Sequence, residues 1–308
     1  MTKVDVYEKI NQIVIEGLQK DGLKWFKPWK DTNGDFQLPM NYVTERSYSG
    51  MNVFLLSACA REFSCNEWLT FKQISALGKK LNKGSKSTSV YYFHISYRDT
   101  DTGKFYVSLK ALQDDGLDPN ADNISKVFSL KEYRVFNVDQ VEDLEPKRVT
   151  PKEDGTEDGL EFTPIQKAEN VLNNFKTIPD ITFNENSAYY SPSKDIVNMP
   201  KQTQFVDPDS YYKTLFHELV HSTGHKSRLN RSSLNEIAHW GDAVYAKEEL
   251  VAEIGSMYLS TLCELNSKDS DDNSSAYLQG WIKKLKESKK MAVEAMQNAT
   301  KAVDYILG

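Results

Sequence analysis

Two histidines four residues apart are the feature of this sequence that most constrains its fold. Residues 217–221 read His-Glu-Leu-Val-His, a match to the pattern H-E-x-x-H. On an α-helix, positions i and i+4 lie one turn apart on the same face, so the imidazoles of His217 and His221 could reach one metal ion. Glu218 would then lie beside that ion, where it could take a proton from a bound water. The motif therefore predicts a helix that carries two metal ligands and a general base.

The flanking residues favour a helix of ordinary length. Asp207 is a suitable N-cap and Pro208 suits the first helical position, while Gly224 predicts the helix end. His225 lies eight residues beyond His217, which is about 12 Å along a continued helix. Two imidazoles that far apart cannot share one ion, so His225 is excluded as a ligand.

The third ligand is expected on a second helix. A catalytic zinc site needs three protein ligands and one open position, but residue 227, where the metzincin pattern would place a third histidine, is a serine. The segment 247–253 has an amphipathic helical pattern and carries carboxylates at positions 248, 249 and 253. Glu249 and Glu253 are four residues apart and share a face. Spacing alone leaves the choice among the three carboxylates open.

The spacing E-x-x-A-E in this segment resembles the second-helix motif of the gluzincins, which are thermolysin-like enzymes, and of the ImmA/IrrE-type peptidases. In those families the first acid binds zinc, and the residue four positions later contacts a zinc ligand rather than the zinc itself. The resemblance implies that Glu249 is the third ligand and that Glu253 holds a ligand histidine in place. Glu248 is then expected to be solvated on the outer face of the helix.

The composition is that of a soluble globular protein. At 308 residues the chain is long enough for two domains with cores, and its 39% hydrophobic and 27% charged residues exclude a disordered or membrane-embedded class. The N-terminus lacks the apolar stretch of a signal peptide, and the longest apolar run, 53–60, is too short to span a membrane. Cys59, Cys65 and Cys263 form no paired framework. We therefore expect reduced thiols, a cytoplasmic location and no membrane partner.

A segment rich in proline, glycine and charge divides the sequence. Residues 146–163 predict a linker between an N-terminal domain over 1–145 and a C-terminal domain over 164–308. Residues 1–95 contain 13 lysines and arginines against 9 aspartates and glutamates, a net charge of +4, whereas the whole chain carries −6. A locally basic region in an acidic protein indicates that one of the two modules binds a polyanion.

The N-terminal half predicts an α+β domain with a small antiparallel sheet, and the C-terminal half adds a hairpin and a long helix. The predicted helices cover 4–18, 52–61, 70–77 and 275–307. The predicted strands cover 89–97, 105–112 and 133–141, with a hairpin turn at 101–104 and a strand pair within 188–199. By analogy with zincins, the edge of that pair is expected to align a peptide substrate.

Basic and aromatic segments of the N-terminal half could bind nucleic acid. Single-stranded nucleic acid stacks its bases on aromatic rings while lysine and arginine neutralise its phosphates. The candidate residues are Trp25, Lys27, Trp29, Arg46, Tyr48, Lys79, Lys80, Lys83 and Lys86. The same pattern is typical of core aromatics with lysines at a solvated rim, and composition does not decide between the two interpretations.

Both halves of the sequence resemble one known family. The segments WFKPW, PMNYVTERSYSGMNVFLL, EWLTFKQISALGKKLNKGSKST and YRVFNVDQVEDL are similar to the N-terminal domain of ArdC-type antirestriction proteins, which is also found in plasmid primase-like proteins. The segments AYYSPSKDIVNMP, YYKTLFHELVHSTGHKSRLNR and YAKEELVAEIGSMYL resemble the zincin-like peptidase domain of that family. The resemblance implies a single-stranded-DNA-binding module fused to a gluzincin-type metallopeptidase fold and carried on conjugative elements. Ser222 departs from the family, in which tryptophan is expected after the second histidine.

Two functions are consistent with these patterns. The first is a single-stranded-DNA-binding metallopeptidase of a mobile element with an antirestriction role, in which one Zn²⁺ or another divalent cation activates a water and Glu218 takes its proton. The sequence identifies no protein substrate. The side chain that stabilises the oxyanion could be Tyr190, His239, Tyr245 or Tyr258. The alternative is a non-proteolytic protein that shields incoming single-stranded DNA, with a structural or vestigial metal site.

Overall fold

The computed structural model describes residues 5–26, 37–148, 164–235, 243–265 and 271–308. The N-terminal half alternates helices and strands in the order α1 Val6–Asp21, β1 Met40–Asn41, α2 Met51–Ala60, β2 Glu67–Thr70, α3 Phe71–Ala76, β3 Thr88–Asp99, β4 Phe105–Tyr106, α4 Leu109–Asp114 and β5 Ile124–Asn137. The C-terminal half is mainly helical and comprises α5 Pro164–Asn174, β6 Asp180–Thr182, β7 Tyr189–Ser191, β8 Ile196–Asn198, α6 Pro208–Ser222, α7 Ser232–Asn235, α8 Ala243–Leu262, α9 Asp271–Glu287 and α10 Met291–Leu307. Within the described ranges, no helix has both the length and the apolar character needed to cross a bilayer.

The N-terminal sheet is built around one long pair of strands. Its order is β1-β2-β5-β3-β4, and all neighbours are antiparallel except the parallel pair β1–β2. β3 pairs with β5 over its whole length, from Thr88 opposite Val135 to Asp99 opposite Ile124. The turn predicted at 101–104 joins β3 to β4. The prediction of an α+β fold with a small antiparallel sheet is therefore confirmed, with one parallel pair at its edge.

One predicted strand is wrong in its second half. The strand predicted over 105–112 ends at Tyr106, because Ser108 accepts the backbone N–H of Ala111 and caps α4. α4 then buries Leu112 in a small cluster with Tyr97 and Tyr106. A helix forms here because its cap and this buried contact outweigh the alternating pattern of the sequence.

Two other predicted boundaries also differ from the structure. The strand predicted over 133–141 begins earlier, at Ile124, because it pairs with all of β3, and it ends at Asn137, whose side chain caps a 3₁₀ turn. The single C-terminal helix predicted over 275–307 is two helices, α9 and α10. The chain turns at 288–290, and α10 packs back against α9.

The two halves of the chain share one hydrophobic core. α1 packs against α9 and α10, and α2 packs against α10. Phe54 on α2 lies edge-on to Tyr258 on α8, with 6.0 Å between the ring centroids. Asn11 on α1 donates a 2.5 Å hydrogen bond to the carbonyl of Leu285 on α9. The linker at 146–163 stays a prediction, and the hydrophobic core is continuous across both halves.

Residues 146–148, at the start of the predicted linker, lie within the described ranges, and two of them are hydrogen-bonded to the N-terminal half. Glu67 on β2 is fully buried, and its carboxylate accepts the backbone N–H groups of Lys147 and Arg148 at 2.9 and 2.7 Å. These two bonds satisfy a buried charge that would otherwise be costly. Residues 149–163 lie outside the described ranges.

The three cysteines are free thiols, as the sequence predicts. Cys65 and Cys263 are buried, and burial raises the pKa of each thiol to about 12. At neutral pH both side chains therefore stay protonated and behave as small apolar groups rather than as nucleophiles or metal ligands.

α6 and α8 approach each other closely at a glycine. A Cβ added at Gly255 on α8 would lie 2.8 Å from the Cγ2 of Val220 on α6. Val220 and its neighbour Leu219 are fully buried at this contact, as is Val251 on α8. Because the histidine pair lies on α6 and the acidic segment on α8, this crossing sets the distance between them.

Gly255→Ala is expected to lower the free energy of unfolding by about 1–3 kcal/mol, because the added methyl group overpacks the contact between α6 and α8. Gly280→Ala on α9 is the matched control. Gly280 is exposed and a Cβ there meets no neighbouring atom, so this change should stabilise the helix by about 0.5–1 kcal/mol. Urea unfolding of both variants measures the difference. Equal stability of the two variants would contradict this packing.

Candidate metal centre

α6 presents the histidine pair, and local sequence signals explain why the helix begins where it does. Asp207 accepts the backbone N–H of Ser210 at 2.7 Å, and Pro208 occupies the first turn, as predicted. The helix ends at Ser222, two residues before the predicted stop at Gly224. Its apolar side chains face the core, which leaves the histidines on a partly accessible face.

Three donor atoms from α6 and α8 converge at this face. The Nε2 atoms of His217 and His221 lie 3.1 Å apart. Glu249 on α8 places one carboxylate oxygen 3.6 Å from the Nε2 of His217 and the other 3.5 Å from that of His221. In the part of the chain that the structure describes, these residues form the one group of histidine, cysteine and acidic side chains arranged to hold a metal ion.

The spacing of these donors fits a single small cation. Ligand atoms at about 2.0–2.1 Å from a tetrahedral Zn²⁺ lie about 3.3 Å from one another. The two histidine nitrogens, 3.1 Å apart, lie close to this value, and with one donor atom from each residue the three donors lie within 4.8 Å of one another. Two imidazoles and one carboxylate also leave a fourth position for water or substrate. The arrangement therefore has the ligand number of a catalytic rather than a closed structural site.

The outward nitrogen of each histidine faces a second carboxylate. His217 Nδ1 lies 3.6 Å from Glu253, and His221 Nδ1 lies 3.3 Å from Glu248. Such carboxylates orient the imidazoles and make them stronger ligands. Burial alone would lower the pKa of His217, but the carboxylates of Glu249, Glu253 and Glu218 raise it to about 9. A cation that binds here therefore displaces a proton from His217.

The expectation that Glu248 is solvated on the outer face of the helix is wrong. Glu248 is only 3% exposed and faces the interior between α6 and α8. Its carboxylate accepts hydrogen bonds from Arg231 at 2.5 and 3.2 Å and from the hydroxyl of Ser233 at 2.5 Å. Burial alone would raise the pKa of Glu248, but the bonds and charges of His221 and Arg231 hold it well below its ordinary value.

Arg231 extends this network to the backbone of the histidine helix. Its guanidinium donates to the carbonyl groups of Val220 and His221 at 2.8 and 3.2 Å and to the hydroxyl of Thr223 at 2.5 Å. These bonds satisfy carbonyls at the C-terminal end of α6, where a positive charge is also favoured by the helix dipole. Sequence reasoning missed Arg231 because no local pattern links it to α8.

One signal in the sequence does indicate that Glu248 is buried. Residues 248, 252, 255 and 259 are Glu, Ala, Gly and Leu, which lie on one stripe of α8. The small side chains of Ala252 and Gly255 mark this stripe as the one on which another helix packs closely. A carboxylate on such a stripe enters the interface and needs a buried partner.

The proposed general base and the oxyanion candidates occupy different environments. Glu218 is 8% exposed and lies near enough to His217 to raise its pKa. Burial alone would raise the pKa of Glu249, but the two histidines and a hydrogen bond from Tyr245 lower it. Tyr245 is therefore beside the donor group. Tyr258 is instead buried in the core against Phe54.

Tyr190 and the hairpin that carries it are held by an ionic network. Tyr190 donates to Asp195 at 2.7 Å, and Arg228 donates to both the carboxylate of Asp195 and the Tyr190 oxygen. Burial and Asp195 raise the pKa of Tyr190. The Tyr190 hydroxyl therefore already donates its hydrogen bond to Asp195 rather than to an oxyanion. His239, the fourth oxyanion candidate, lies outside the described residues.

The strand pair predicted within 188–199 is present as β7 and β8, which are antiparallel. β7 is an edge of the three-stranded sheet β6-β8-β7, and it packs beside α6. An edge strand offers free N–H and C=O groups to an extended peptide. The alignment of a substrate on this edge stays a prediction. His225 is hydrogen-bonded to Ser227 and lies outside the donor group, which agrees with its exclusion as a ligand.

The prediction that Trp25 and Tyr48 stack on bases is wrong. Trp25 is 6% exposed, and its ring lies so close to Gly17 that a Cβ there would come within 2.2 Å of it. Tyr48 is 7% exposed and packs in a cluster with Trp68 and Val90. Both residues are core aromatics, which is the alternative that the sequence left open.

The described basic candidates lie at the surface. Arg46, Lys80, Lys83 and Lys86 are exposed, and half-buried Lys79 donates to the carbonyl of Asp143. Four of these five residues belong to the loop that joins α3 to β3. Lys27 and Trp29 lie outside the described residues. The role of these side chains in binding nucleic acid stays a prediction.

Two family models match the chain in the order of its two halves. Residues 4–136 match the model described as the N-terminal domain of anti-restriction factor ArdC. Residues 166–298 match the model described as a zincin-like metallopeptidase, and this range contains both α6 and α8. The zincin-like domain implies a metal, in agreement with the donor geometry.

Solved structures and a curated relative are similar over nearly the whole chain. The metal-free crystal structure of antirestriction protein ArdC from the R388 plasmid is 31% identical with a TM-score of 0.68, covering 98% of this chain and 96% of that one. The Mn(II)-bound structure gives 30% and 0.67, covering 98% and 97%. A DNA primase TraC of Escherichia coli is 34% identical over 99% of this chain, but the chain spans only 20% of the length of that primase.

Glu249→Ala is expected to abolish most of the binding of one divalent cation per chain, because two imidazoles remain without a third ligand. Glu253→Gln, on the same helix, is the matched control. It should keep the cation with affinity lowered about 10–100-fold, because Glu253 only orients a ligand. Titration with Zn²⁺ and elemental analysis after dialysis measure both. Unaltered metal content in Glu249→Ala would exclude that residue as the third ligand.

Glu248→Ala is expected to lower the free energy of unfolding by about 3–5 kcal/mol, because it leaves Arg231 buried without its counter-charge. The control is the double variant Glu248→Leu/Arg231→Met, which removes both charges and should be more stable than the single variant. Chemical denaturation followed by circular dichroism measures the three proteins. A loss below about 1 kcal/mol in Glu248→Ala, as for an exposed ion pair, would contradict this account.

Proposed function

The chain belongs to the ArdC-type antirestriction proteins, and from this premise we propose that it is a zinc metallopeptidase that binds single-stranded DNA and serves antirestriction during conjugative transfer. The observation that carries the peptidase assignment is the convergence of His217, His221 and Glu249, together with Glu218, whose charge helps to raise the pKa of His217. A purely structural site would have no use for an acid in that position. The exposed lysines before β3 support the DNA-binding half of the proposal.

The donor set supports zinc as the resident cation. Two imidazoles and one carboxylate, with one position free, are the ligands of thermolysin-type zinc sites. When bound, the cation would supply Lewis acidity, which brings the pKa of a water near 7 and polarises a peptide carbonyl. The relative from plasmid R388 has a Mn(II)-bound structure, so other divalent cations are also candidates for this site.

The residues around the donors have separate roles in the proposed hydrolysis. The Glu218 carboxylate would take the proton of the attacking water and return it to the leaving amine. Glu253 and Glu248 would hold the two imidazoles in their ligand orientation through the Nδ1 atoms. Among the described oxyanion candidates, Tyr245 is favoured because it already contacts Glu249, whereas Tyr258 is in the core.

A second function is supported by the surface of the N-terminal half. Residues Lys80, Lys83 and Lys86 are exposed on one loop, and the family model matched there is that of the ArdC N-terminal domain. A protein that shields incoming single-stranded DNA would need only this half of the chain for its output. The metal centre would then be structural or vestigial.

Glu218→Gln is expected to reduce cleavage of unfolded casein at least about 100-fold, because general-base catalysis supplies that order of rate. The casein is incubated with holoprotein in the presence and absence of an oligothymidylate. Metal content and oligonucleotide affinity of the variant should equal those of the wild type, which controls for folding. Cleavage at the wild-type rate would remove Glu218 from the mechanism.

Transfer of an unmodified plasmid into a restricting recipient separates the two functions. If proteolysis is the output, Glu218→Gln should lose protection of the plasmid together with casein cleavage. Full protection by a variant that no longer cleaves casein would establish the shielding function instead. Absence of casein cleavage by wild-type holoprotein, with or without DNA, would count against the peptidase assignment.

A further inference from the structure

The long strand pair β3–β5 has two faces of different chemistry. Side chains alternate across a strand, and directly paired residues share a face. One face carries the even-numbered residues of β3 and the odd-numbered residues of β5, which pair as Val90 with Tyr133, Tyr92 with Lys131, and Arg98 with Ser125. We call this side of the strand pair the tyrosine face.

Two tyrosine side chains on the tyrosine face are about half exposed to solvent. Tyr92 is 46% exposed and Tyr133 is 47% exposed, and their rings meet edge-on with 5.7 Å between centroids. Further along, Phe105 on β4 lies opposite Arg98 and is 53% exposed. Aromatic rings normally leave solvent on folding, so three exposed rings on one face favour a surface that is used for binding.

The charges of the tyrosine face have one sign. Lys131 and Arg98 are exposed there, and His94 lies between them. The strand residues of this face include no aspartate or glutamate. In a chain with a net charge of −6, such a face is complementary to a polyanion.

The opposite face of the same strands differs in charge and therefore serves as a comparison. It exposes Phe93 and Phe128, but it also carries Glu132. Glu132 forms ion pairs with Lys9 on α1 at 2.5 Å and with Arg134 at 2.9 Å. Arg134 is thus paired with a carboxylate, while exposed Lys126 on the same side donates to the amide oxygen of Asn120, so this face carries both signs of charge.

The exposed tyrosines rest on a rigid base. Val90 and Val135, their neighbours on the same face, are each 1% exposed and pack with buried Tyr48. Burial and the hydroxyls of Tyr48 and Tyr133 raise the pKa of Tyr92 to about 12, which places the three tyrosines in one cluster. Rings fixed in this way lose little conformational entropy when a ligand stacks on them.

We propose that the tyrosine face is the base-stacking surface for single-stranded DNA, with bases on Tyr92 and Tyr133 and phosphates at Lys131 and Arg98. This inference rests on the proposed binding of single-stranded DNA by this half of the chain. It assigns the stacking role to rings that the sequence pattern did not indicate, in place of Trp25 and Tyr48, which are buried.

A single strand fits this surface better than duplex DNA or a polyanion without bases does. Every base has a flat apolar face that an exposed ring can cover, and adjacent lysine and arginine neutralise the backbone. In duplex DNA the bases are stacked on one another and are not free to lie on tyrosines. From Tyr92 to Arg98 the strand rises about 20 Å, which accommodates a short run of unpaired nucleotides.

The basic loop before β3 continues this surface along the chain. Lys86 is exposed and lies two residues before β3 begins at Thr88. Stacking would therefore take place on the sheet, and Lys80, Lys83 and Lys86 would add phosphate contacts at the start of the strand. In this arrangement the residues of the sheet stack on bases, and the lysines of the loop contact only phosphates of the DNA backbone.

The test is the affinity of full-length protein for a fluorescent oligothymidylate over a range of salt concentrations. Tyr92→Ala/Tyr133→Ala is expected to raise the Kd at least about tenfold with an unchanged salt dependence, because stacking is lost and charge is not. Lys131→Gln is expected to reduce the slope of log Kd against log salt by about 0.7, the value for one phosphate on a single strand. Tyr92→Phe/Tyr133→Phe should keep wild-type affinity, because the rings remain.

Phe93→Ala/Phe128→Ala is the matched control, because it removes two exposed rings from the opposite face of the same strands. It should leave the Kd unchanged. An equal loss in this control and in the tyrosine double variant would overturn the proposal, as would a wild-type Kd in the tyrosine double variant. Competition by polyglutamate as strong as by oligothymidylate would also overturn it, since an acidic chain offers no bases.

The wild-type measurement distinguishes failure of this inference from failure of the function on which it rests. If wild-type protein does not bind oligothymidylate, both the proposed DNA-binding function and the role of the tyrosine face are wrong. If wild-type protein binds and the tyrosine double variant binds equally well, only the placement on the tyrosine face is wrong.

Discussion

The buried ion pair between Glu248 and Arg231 is the interaction on which the metal centre depends. Glu248 belongs to α8, and Arg231 donates to the last carbonyls of α6, so the pair fixes the two ligand-bearing helices against each other. Gly255 permits the close approach that brings the carboxylate of Glu249 to both histidines. A buried pair of this kind contributes little net stability compared with apolar packing. Its contribution here is geometric, because Glu248 also faces the Nδ1 of His221 and sets the imidazole orientation.

A shared core joins the metal centre to the sheet of the N-terminal half. α1 packs on α9 and α10, while its Lys9 is paired with Glu132 on β5. Phe54 on α2 meets Tyr258 on α8, the helix that carries Glu249. The two halves therefore form one packed body, although the sequence predicts a linker between them at 146–163. A strand of DNA held on the sheet would lie at a fixed position relative to the metal centre.

Local sequence signals predicted much of this fold. The cap residues Asp207 and Pro208 give the start of α6, and α3 at Phe71–Ala76 lies within the helix predicted over 70–77. The H-E-x-x-H spacing places His217 and His221 on one face because helical periodicity is fixed by the backbone. The strand predicted over 105–112 is wrong in its second half because alternation is a weak signal that a cap and a buried leucine outweigh.

Sequence alone placed His217 and His221 on one face of one helix, because helical periodicity acts within one or two turns. Its motifs also predicted the order of the two modules. Spacing left the choice among Glu248, Glu249 and Glu253 open. Tertiary structure was needed to show which distant partners bury these side chains. Trp25 lies on Gly17, and Glu248 faces Arg231 across a region that no periodic pattern spans. Tyr92 and Tyr133 came to share an exposed face only when β3 paired with β5. Burial is a property of partners distant in the sequence, and a single chain's local pattern does not specify them.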